Sequence, residues 1–390
     1  MREGWVYKKL GEVGEIITGS TPSTKESENY SSDDYCFIKP SDLPSDGIGW
    51  ISSSENHISK KGYSLSRHLP KGSVLVSCIG SIGKVGILQV EAASNQQINA
   101  IIPHSDINSV FLSYSIFSIR EEMINKANAP VVPIINKTDF SNYKIPVPPL
   151  SEQQRIVSEL DLLSSIIEKK KAQLKEYDQL AQSIFYDMFG DPVENEKGWE
   201  VKKLVDNVHE MFLGPFGSAL KVDSYVSKED SYCMVYEQKH AIQGTINLDN
   251  HYINKDKFDT LQRFEVKPHD FIMSCRGTIG KLYQLPNNAP NGIIHPSLMK
   301  IRIKEDVYNS TYFQFMLVKI VANESTNGNC VQMAITAKEL GKKELPVPPL
   351  SLQQSFASKI EGIEHQKALI QQSIAETETL FNSRMDYYFN

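Results

Sequence analysis

Two short segments that are rich in glycine and end in lysine are the first candidates for chemistry. They read GSIGK at residues 80–84 and GTIGK at residues 277–281. A phosphate-binding P-loop needs four residues between its glycines and a Ser or Thr after its lysine. Here two residues separate the glycines, and Val85 or Leu282 follows the lysine. The segments therefore predict strand–turn–strand units, whose lysines could meet the phosphates of a nucleic-acid backbone.

A second candidate is a weak resemblance of Asp223 and Glu237-Gln238-Lys239 to the PD-(D/E)xK triad of a nuclease. The pattern is short, no proline precedes Asp223, and the matching place in the first half, residues 39–42, lacks it. The sequence also has no HExxH zinc motif, no GxSxG elbow and no FxGxG methyltransferase motif. We therefore predict a chain without catalytic residues, and a degenerate nuclease is kept as an alternative.

The cysteines and the composition exclude further classes of protein. The five cysteines are widely spaced and never form a CxxC pair, which argues against a disulfide framework or a metal site. Of the 390 residues, 40% are hydrophobic and 23% are charged, so there is apolar material for ordinary cores. No apolar run approaches the roughly 20 residues that span a bilayer. We expect a soluble, cytoplasmic protein with no membrane partner.

The chain contains an internal duplication. A proline-rich strap at residues 145–154 (IPVPPLSEQQ) recurs at 345–354 (LPVPPLSLQQ). The segment SCIGSIGK from Ser77 recurs as SCRGTIGK from Ser274, and GWVYKKL near the start recurs as GWEVKKL from Gly198. The matches occur in the same order, about 200 residues apart, which indicates two homologous halves and not a solenoid of short repeats.

Each strap is followed by a helical pattern. Proline lacks an N–H and forces its predecessor into an extended conformation, so the strap itself is not helical. Ser151 is typical of a helix N-cap with Gln154 as its capping-box partner, and Ser351 with Gln354 repeats this arrangement. Gly190 predicts the end of the first helix.

Apolar residues within both helices recur at spacings of four and three, the heptad pattern of a coiled coil. Lys170 is a basic interruption of this pattern. Helices of about 37–40 residues, or roughly 55–60 Å, need a partner, and we expect the two to pack on each other in antiparallel fashion. The alternative is that each is an ordinary amphipathic helix on its own domain. The predicted seam comprises Ile156, Leu160, Leu163, Ile167, Leu174, Phe356, Ile360, Ile363, Ile370 and Ile374.

These features predict an α+β fold, a mixed α/β protein made of two similar globular domains and a coiled coil between them. Residues 1–150 form the first domain, 151–190 the first long helix, 191–350 the second domain and 351–390 the second long helix. The duplication also predicts a pseudo-twofold relation between the halves.

Polar loops and local lysine pairs favour recognition of a polymer. Ser, Thr, Asn, Gln, Lys and Gly supply groups that bond to phosphates and to base edges. Two similar but non-identical domains suit two different half-sites, and a rod between them would set the spacing. A coiled-coil adaptor that never touches DNA is the alternative. The candidate DNA-binding residues are Thr18, Ser20, Thr21, Lys60, Lys61, Ser81, Lys84, Asn95, Gln96, Gln97, Phe216, Ser218, Lys221, Lys255, Arg276, Thr278 and Lys281.

The sequence resembles the DNA-specificity (S) subunits of type I restriction–modification systems, the HsdS family. The resemblance rests on the two straps with their helix starts, on the two openings from Gly4 and Gly198, on the two glycine–lysine turns, and on the run GPFGSALK at 214–221. It covers essentially the whole chain. It implies two target-recognition domains, each of which reads one half of a split, asymmetric site on double-stranded DNA.

The resemblance also implies partners and cofactors. Members of this family assemble with two methyltransferase (M) subunits, which modify adenine and dock on the helices and domains, and restriction (R) subunits can then join. S-adenosylmethionine, ATP and Mg²⁺ would bind to those partner subunits and no cofactor to this chain. One departure is that Ile79 stands where the second half has Arg276. We therefore expect the two domains to contact DNA through different residues, with Arg276 as the strongest single candidate.

The net charge of −6 at first argues against a nucleic-acid binder. Divided by segment, however, residues 1–150 and 191–350 each carry a net charge of −1, whereas 151–190 and 351–390 each carry −2. Most of the excess negative charge therefore lies in the helices, where protein partners are expected. We predict that the isolated chain binds DNA weakly and that the methyltransferase subunits supply much of the phosphate contact.

Overall fold

A computed structural model describes residues 4–127, 132–326 and 334–390 of the chain. It divides into two compact units. The first unit comprises Met1–Ala172 and Gln371–Asn390, and the second comprises Gln173–Ile370. Among the described residues, no helix is long and apolar enough to cross a membrane.

The first unit contains a five-stranded sheet of order β2-β9-β6-β7-β4, a three-stranded sheet of order β5-β3-β8, and a β1–β10 pair. Its elements, in the order of the chain, are β1 (Val6–Lys9), α1 (Leu10–Val13), β2 (Gly14–Thr18), β3 (Tyr35–Ile38), β4 (Ile48–Ile51), β5 (His57–Ile58), α2 (Lys60–Ser64), β6 (Val74–Ser77), β7 (Val85–Leu88), β8 (Ala92–Ser94), β9 (Ile98–Pro103), α3 (Ser109–Ser118), α4 (Arg120–Lys126), α5 (Lys137–Asn142), β10 (Lys144–Val147) and the start of α6 (Leu150–Phe189).

The second unit repeats this plan with sheets of order β12-β19-β16-β17 and β14-β13-β18-β15 and a β11–β20 pair. Its elements are the end of α6, β11 (Val201–Lys203), β12 (Val208–Leu213), β13 (Cys233–Tyr236), α7 (Gln238–Gln243), β14 (His251–Ile253), α8 (Lys255–Leu261), β15 (Glu265–Val266), β16 (Phe271–Ser274), β17 (Leu282–Gln284), β18 (Gly292–Ile294), β19 (Leu298–Ile303), α9 (Ser310–Thr326), α10 (Ala337–Gly341), β20 (Glu344–Pro346) and the start of α11 (Leu350–Phe389).

The two plans share four strands in their central sheets, and the first unit adds β4 at one edge. The order β2-β9-β6-β7 corresponds to β12-β19-β16-β17, and the parallel pairing of β3 with β8 corresponds to that of β13 with β18. In each unit the all-buried central strand, β6 or β16, packs with apolar residues of the following helices, such as Leu112 in the first core and Phe313 in the second. The predicted duplication and mixed α/β fold are confirmed.

Both long helices begin at the first residue after the strap prolines, Leu150 and Leu350. The predicted capping box is therefore wrong, because Ser151 already lies inside the helix. The carbonyl of Pro149 accepts the first helical bonds, from the N–H groups of Glu152 at 2.9 Å and Gln153 at 3.0 Å. The end was predicted correctly: Gly190 follows the last helical residue with φ +73°, a conformation that glycine adopts without a Cβ penalty.

The first glutamine of each QQ pair, not the second, holds the strap. The amide nitrogen of buried Gln153 donates to the carbonyls of Pro148 at 2.9 Å and Asp106 at 3.0 Å, and its oxygen accepts from the N–H of Asn108 at 2.9 Å. Gln353 makes the same three bonds in the second unit, to Pro348, Val307 and Asn309. Because every polar atom of this amide has a partner, it can be buried without an unsatisfied group.

The long helices run antiparallel to each other within each unit. In the first unit, Ile156 and Leu160 of α6 lie in one apolar cluster with Met385 and Tyr388 of α11. In the second unit, the rings of Phe189 and Phe356 are 5.4 Å apart. The same clusters include residues of α3 and α9, so the helices pack on the globular regions as well as on each other.

The predicted seam residues differ in burial. Leu163, Ile167, Leu174 and Ile370 are half-buried, whereas the other six predicted seam residues are buried. The ammonium group of Lys170 donates to the hydroxyls of Ser373 at 2.5 Å and Thr377 at 3.3 Å. Polar groups within a coiled-coil seam fix its register at some cost in stability.

Candidate nucleic-acid interface

Two loops meet in each unit at a position where the backbone leaves no room for a side chain. A Cβ atom on Gly19, just after β2, would lie 2.0 Å from the carbonyl oxygen of Asn95. A Cβ atom on Gly214, just after β12, would lie 2.3 Å from the carbonyl oxygen of His295. Only glycine fits such an approach. These contacts make Asn95 and His295 equivalent, and place Thr21 and Phe216 two residues beyond equivalent glycines.

The glycine–lysine segments form the same tight turn in both units. In the first, the hydroxyl oxygen of Ser77 accepts the N–H of Lys84 at 3.0 Å; in the second, that of Ser274 accepts the N–H of Lys281 at 2.9 Å. The turns connect β6 with β7 and β16 with β17. The predicted strand–turn–strand units are confirmed, and neither turn opens a helix as a P-loop would.

The lysines of these turns differ in their surroundings. Lys84 is half-buried, and its ammonium group donates to the carbonyls of Pro40 at 3.1 Å and Leu43 at 3.4 Å. Lys281 is exposed, and no described residue bonds to or pairs with its ammonium group. Lys84 is therefore held inside its unit, whereas the charge of Lys281 faces solvent.

The two turns also differ in where an arginine lies. Arg276 is exposed on the second turn, and its guanidinium has no partner among the described residues. Ile79 occupies this position in the first turn, but Arg120 lies behind that turn: a Cβ atom on Gly83 would be 2.6 Å from its Cγ, and its buried Nε has no partner. Val321 is the equivalent neighbour of the second turn. Sequence reasoning missed Arg120, although aligning the two halves through α3 and α9 could have found it.

The loops of the first unit present a polar surface. The hydroxyl of Thr21 donates to the side-chain oxygen of Gln96 at 2.7 Å, and both residues are exposed. Asn95 is buried, and its amide donates to Gln97 at 2.7 Å. Thr18 donates to Asn99 at 2.6 Å. Of these predicted contacts, Thr21 and Gln96 are open to a ligand, whereas Thr18, Asn95 and Gln97 support the loop.

Arg67 is a further cation on this surface that the sequence did not single out. Its guanidinium donates to the carbonyl of Thr18 at 2.6 Å, and its backbone N–H donates to the hydroxyl of Ser20 at 3.3 Å. The residue is exposed. It therefore places a charge beside the predicted residues Ser20 and Thr21.

The equivalent loop of the second unit ends in an exposed aromatic tip. Phe216 is 86% exposed, and its carbonyl accepts the N–H of Ala219 at 2.8 Å to start the 3-10 turn Gly217–Ala219. Ser218 and Lys221 follow and are exposed. The predicted residues of this run therefore lie together at the surface.

A cluster of charged and aromatic side chains lies on β13, β14 and the segments next to them. The carboxylate of Glu237 contacts the ammonium of Lys239 at 2.8 Å and Nδ1 of His251 at 3.0 Å, and the His251 ring stacks on Tyr225 at 4.5 Å. Burial alone would raise the pKa of Glu237, but its bonds to Lys239 and His251 outweigh burial and lower it. Glu237 is therefore a paired, ionised group.

His295 belongs to the same surface. Burial lowers its pKa, Glu237 acts in the opposite direction, and the neighbouring Arg276 and His251 lower it further. Its Nδ1 lies 2.8 Å from the hydroxyl of Ser297. Because Nδ1 also accepts the N–H of Ser297 at 3.2 Å, Nε2 is the nitrogen that is left to donate to a base edge or a phosphate.

The structure gives the nuclease alternative no support. Glu237 and Lys239 are paired with each other, and Asp223 is exposed on a separate 3-10 turn, Val222–Ser224. Among the described residues, no group of three or more His, Cys, Asp or Glu side chains could hold a metal ion.

The remaining predicted residues have other surroundings. Lys61 is paired with Glu28, and Lys255 with Asp259 while it also lies 4.9 Å over the ring of Tyr232. Lys60 is exposed at the start of α2. Ser81 and Thr278 are exposed at equivalent places in the two turns. DNA contact by any of these residues stays a prediction.

Comparisons with known proteins agree with this organisation. A family model described as the type I restriction modification DNA specificity domain matches residues 2–176 and 228–379. The type I restriction enzyme MjaIX specificity subunit of Methanocaldococcus jannaschii is 25% identical over 388 residues, which cover 92% of this chain and 86% of that relative. The EcoR124I/EcoR124II specificity subunit of Escherichia coli is 31% identical over 175 residues, 42% of each chain.

Solved structures show the same fold. One, described as the structural basis of complex assembly and conformational transition of the type I R-M system, has a TM-score of 0.67 at 18% identity and covers 99% of this chain and 97% of that one. The type I S subunit of M. genitalium has a TM-score of 0.53 at 12% identity, with 99% and 96% covered. The chain belongs to the type I restriction–modification DNA-specificity family, as the sequence predicted. Its function is the specific recognition of DNA.

Proposed function

We propose that each globular region of this chain reads one half of a split DNA site through the loops described above. The observation that carries the proposal is that equivalent backbone positions in the two units present unlike side chains. Thr21 corresponds to Phe216, Asn95 to His295 and Ile79 to Arg276. Two copies of one scaffold with different surface chemistry suit an asymmetric site, because base edges are distinguished by side-chain donors and acceptors.

The recognition domains are residues 1–150 and 191–350, and the conserved helices are 151–190 and 351–390. Within them we assign the contacts by exposure. Thr21, Gln96, Ser218, Lys221, Arg276 and Lys281 lie at the surface and are assigned to phosphates or base edges. Thr18, Asn95, Gln97 and Lys84 are assigned to holding the loops, because their polar groups are already bonded within the unit.

The chain itself catalyses nothing in this proposal. Its expected partners are two methyltransferase subunits, which it would hold over an adenine that leaves the base stack for modification, and restriction subunits. S-adenosylmethionine, ATP and Mg²⁺ would bind to those subunits. The subunit would act in the cytoplasm, where its DNA substrate lies. The acidic helices, at −2 each, suit protein partners better than phosphate.

A methylation map of the host genome, with and without this gene, tests the proposal. We expect one split sequence, two short specific parts around a gap of unspecified bases, to lose its adenine methylation when the gene is deleted. Complementation with the gene should restore the same sequence. An unchanged methylation map after deletion, in a strain that expresses the gene, would refute the proposal.

A further inference from the structure

We propose that the second recognition domain deforms its half-site by inserting Phe216 between two neighbouring base pairs, and that the first domain does not. This inference rests on the proposed function, since it concerns how that function is carried out. Apolar side chains that enter the base stack from a loop unstack one step and kink the duplex. The half-site of the second domain would then be read partly through its deformability.

The tip that carries Phe216 is held in place by the protein around it. Pro215 is buried, the Phe216 carbonyl accepts the N–H of Ala219 at 2.8 Å, and Gly214 is pressed against the carbonyl of His295. The side chain is nevertheless 86% exposed. A large aromatic group on an ordered tip loses little conformational freedom when it binds, so it is suited to insertion.

The charges around the tip favour a polyanion as its ligand. Lys221 follows Phe216 on the next turn, and Arg276 lies near His295, whose carbonyl meets Gly214. Lys281 ends the turn that carries Arg276, and no described residue pairs with any of these three exposed side chains. Of the acidic residues in this region, Glu237 is already paired with Lys239 and His251, and Asp223 is exposed on the turn that follows Lys221. An exposed phenylalanine among unneutralised cations fits a base step flanked by phosphates better than an apolar protein surface.

The first unit lacks such a tip at the equivalent place. Two residues beyond Gly19 stands Thr21, a small polar residue bonded to Gln96 at 2.7 Å. It can accept or donate a hydrogen bond, but it cannot replace a base in the stack. The inference therefore predicts a difference between the half-sites: a deformable pyrimidine–purine step at one fixed position in the second, and no such requirement in the first.

The test uses the complex of the full chain with its methyltransferase subunits, and duplexes that contain the methylated sequence mapped in the host. The fluorescent base 2-aminopurine replaces one adenine at a time through both half-sites. Because unstacking raises its fluorescence, we expect a rise at one step of the second half-site, separate from the rise at the adenines that leave the stack for modification. Phe216→Ala should abolish that rise and weaken binding about tenfold or more, since stacking of a base on an aromatic ring contributes this much affinity.

Two matched variants make the result specific. Val222→Ala removes another exposed apolar side chain, 79% exposed on the next turn, and should leave fluorescence and affinity unchanged. Thr21→Ala should leave the fluorescence of the second half-site unchanged. Because Phe216 lies at the surface, its variant should keep the thermal unfolding temperature of the parent protein.

Three outcomes would overturn the inference while specific binding, and hence the proposed function, stands. These are absence of the rise from the parent complex, persistence of the rise in Phe216→Ala, and failure of Phe216→Ala to assemble with the methyltransferase subunits, which would make the tip a protein contact. If instead the parent complex does not prefer the mapped duplex over unrelated DNA at matched salt, the proposed function fails and the inference fails with it.

Discussion

The two glycine–lysine turns have one backbone and two sets of side chains. Ser77 and Ser274 bond in the same way to the N–H of the turn lysine, at 3.0 and 2.9 Å. Yet Lys84 is tied to carbonyls of its own unit, whereas Lys281 and Arg276 face solvent. The hydrogen bonds that build the turn are therefore the same in both halves of the duplication, whereas the side chains that face outward differ.

The straps and the loops extend this comparison. Gln153 and Gln353 each make three equivalent bonds, so the scaffold is the same in both units. The loops beyond Gly19 and Gly214 begin with equivalent contacts and then differ, with Thr21 in one and Phe216 in the other. Conserved buried bonds and divergent exposed groups are what a reader of two different half-sites requires.

The largest expected effect is a loss of stability when the glutamine that holds the strap, which both units share, is replaced. Gln153→Ala or Gln353→Ala leaves buried backbone groups without a partner, and each should lower the free energy of unfolding by about 2–4 kcal/mol. The matched controls are the exposed neighbours, Gln154→Ala and Gln354→Ala, which should change it by less than about 0.5 kcal/mol. Thermal and denaturant unfolding measure both. A large loss of unfolding free energy for only one of the two variants would contradict the claim that both units share this scaffold.

The next largest effect is on DNA binding by the second turn, where the two units differ in their exposed side chains. Arg276→Ala should weaken DNA binding by the assembled complex by about 1–3 kcal/mol if the guanidinium makes a bidentate contact with guanine. Arg263→Ala, which removes another exposed arginine of the second unit, is the matched control for loss of charge alone. Equal binding curves for the two variants at the same salt concentration would remove Arg276 from the interface.

The smallest effect separates the two turn lysines. Lys281→Ala should reduce the slope of log affinity against log salt concentration by about 1, because one phosphate contact is lost. Its thermal stability should not change. Lys84→Ala should do the reverse, since it removes bonds to Pro40 and Leu43 and leaves the salt slope as it was. The same salt slope for both variants would contradict the claim that exposed Lys281 contacts a phosphate and half-buried Lys84 does not.

The sequence predicted the duplication, the mixed α/β domains, the antiparallel helices and the end of the first helix at Gly190. These depend on local patterns: heptad spacing, prolines and glycine after a helix. The helix start was misplaced, because Ser151 has the usual type for an N-cap but the helix already begins at Leu150 and the Pro149 carbonyl takes the first bonds. Sequence spacing cannot show which of two adjacent glutamines is turned inward, so the role of Gln153 was missed as well.

The candidate site was predicted less completely than the fold. Composition identified the polar loops, but whether Lys84 or Lys281 is free depends on a carbonyl more than 40 positions away along the chain. Arg120 and Arg67 were missed for the same reason, since they reach these loops from distant segments. Exposure and pairing are properties of the folded chain, and they decide which members of a polar loop can meet a ligand.

The exchange of one recognition domain tests the central claim most directly. Residues 1–145 are replaced by the corresponding domain of a family member with a different target, and the adenine methylation of a host that carries the hybrid is mapped. We predict that one half of the methylated sequence changes to that of the donor while the other half is retained. A change in both halves, or in neither half while methylation continues, would contradict the claim that each unit reads its own half-site.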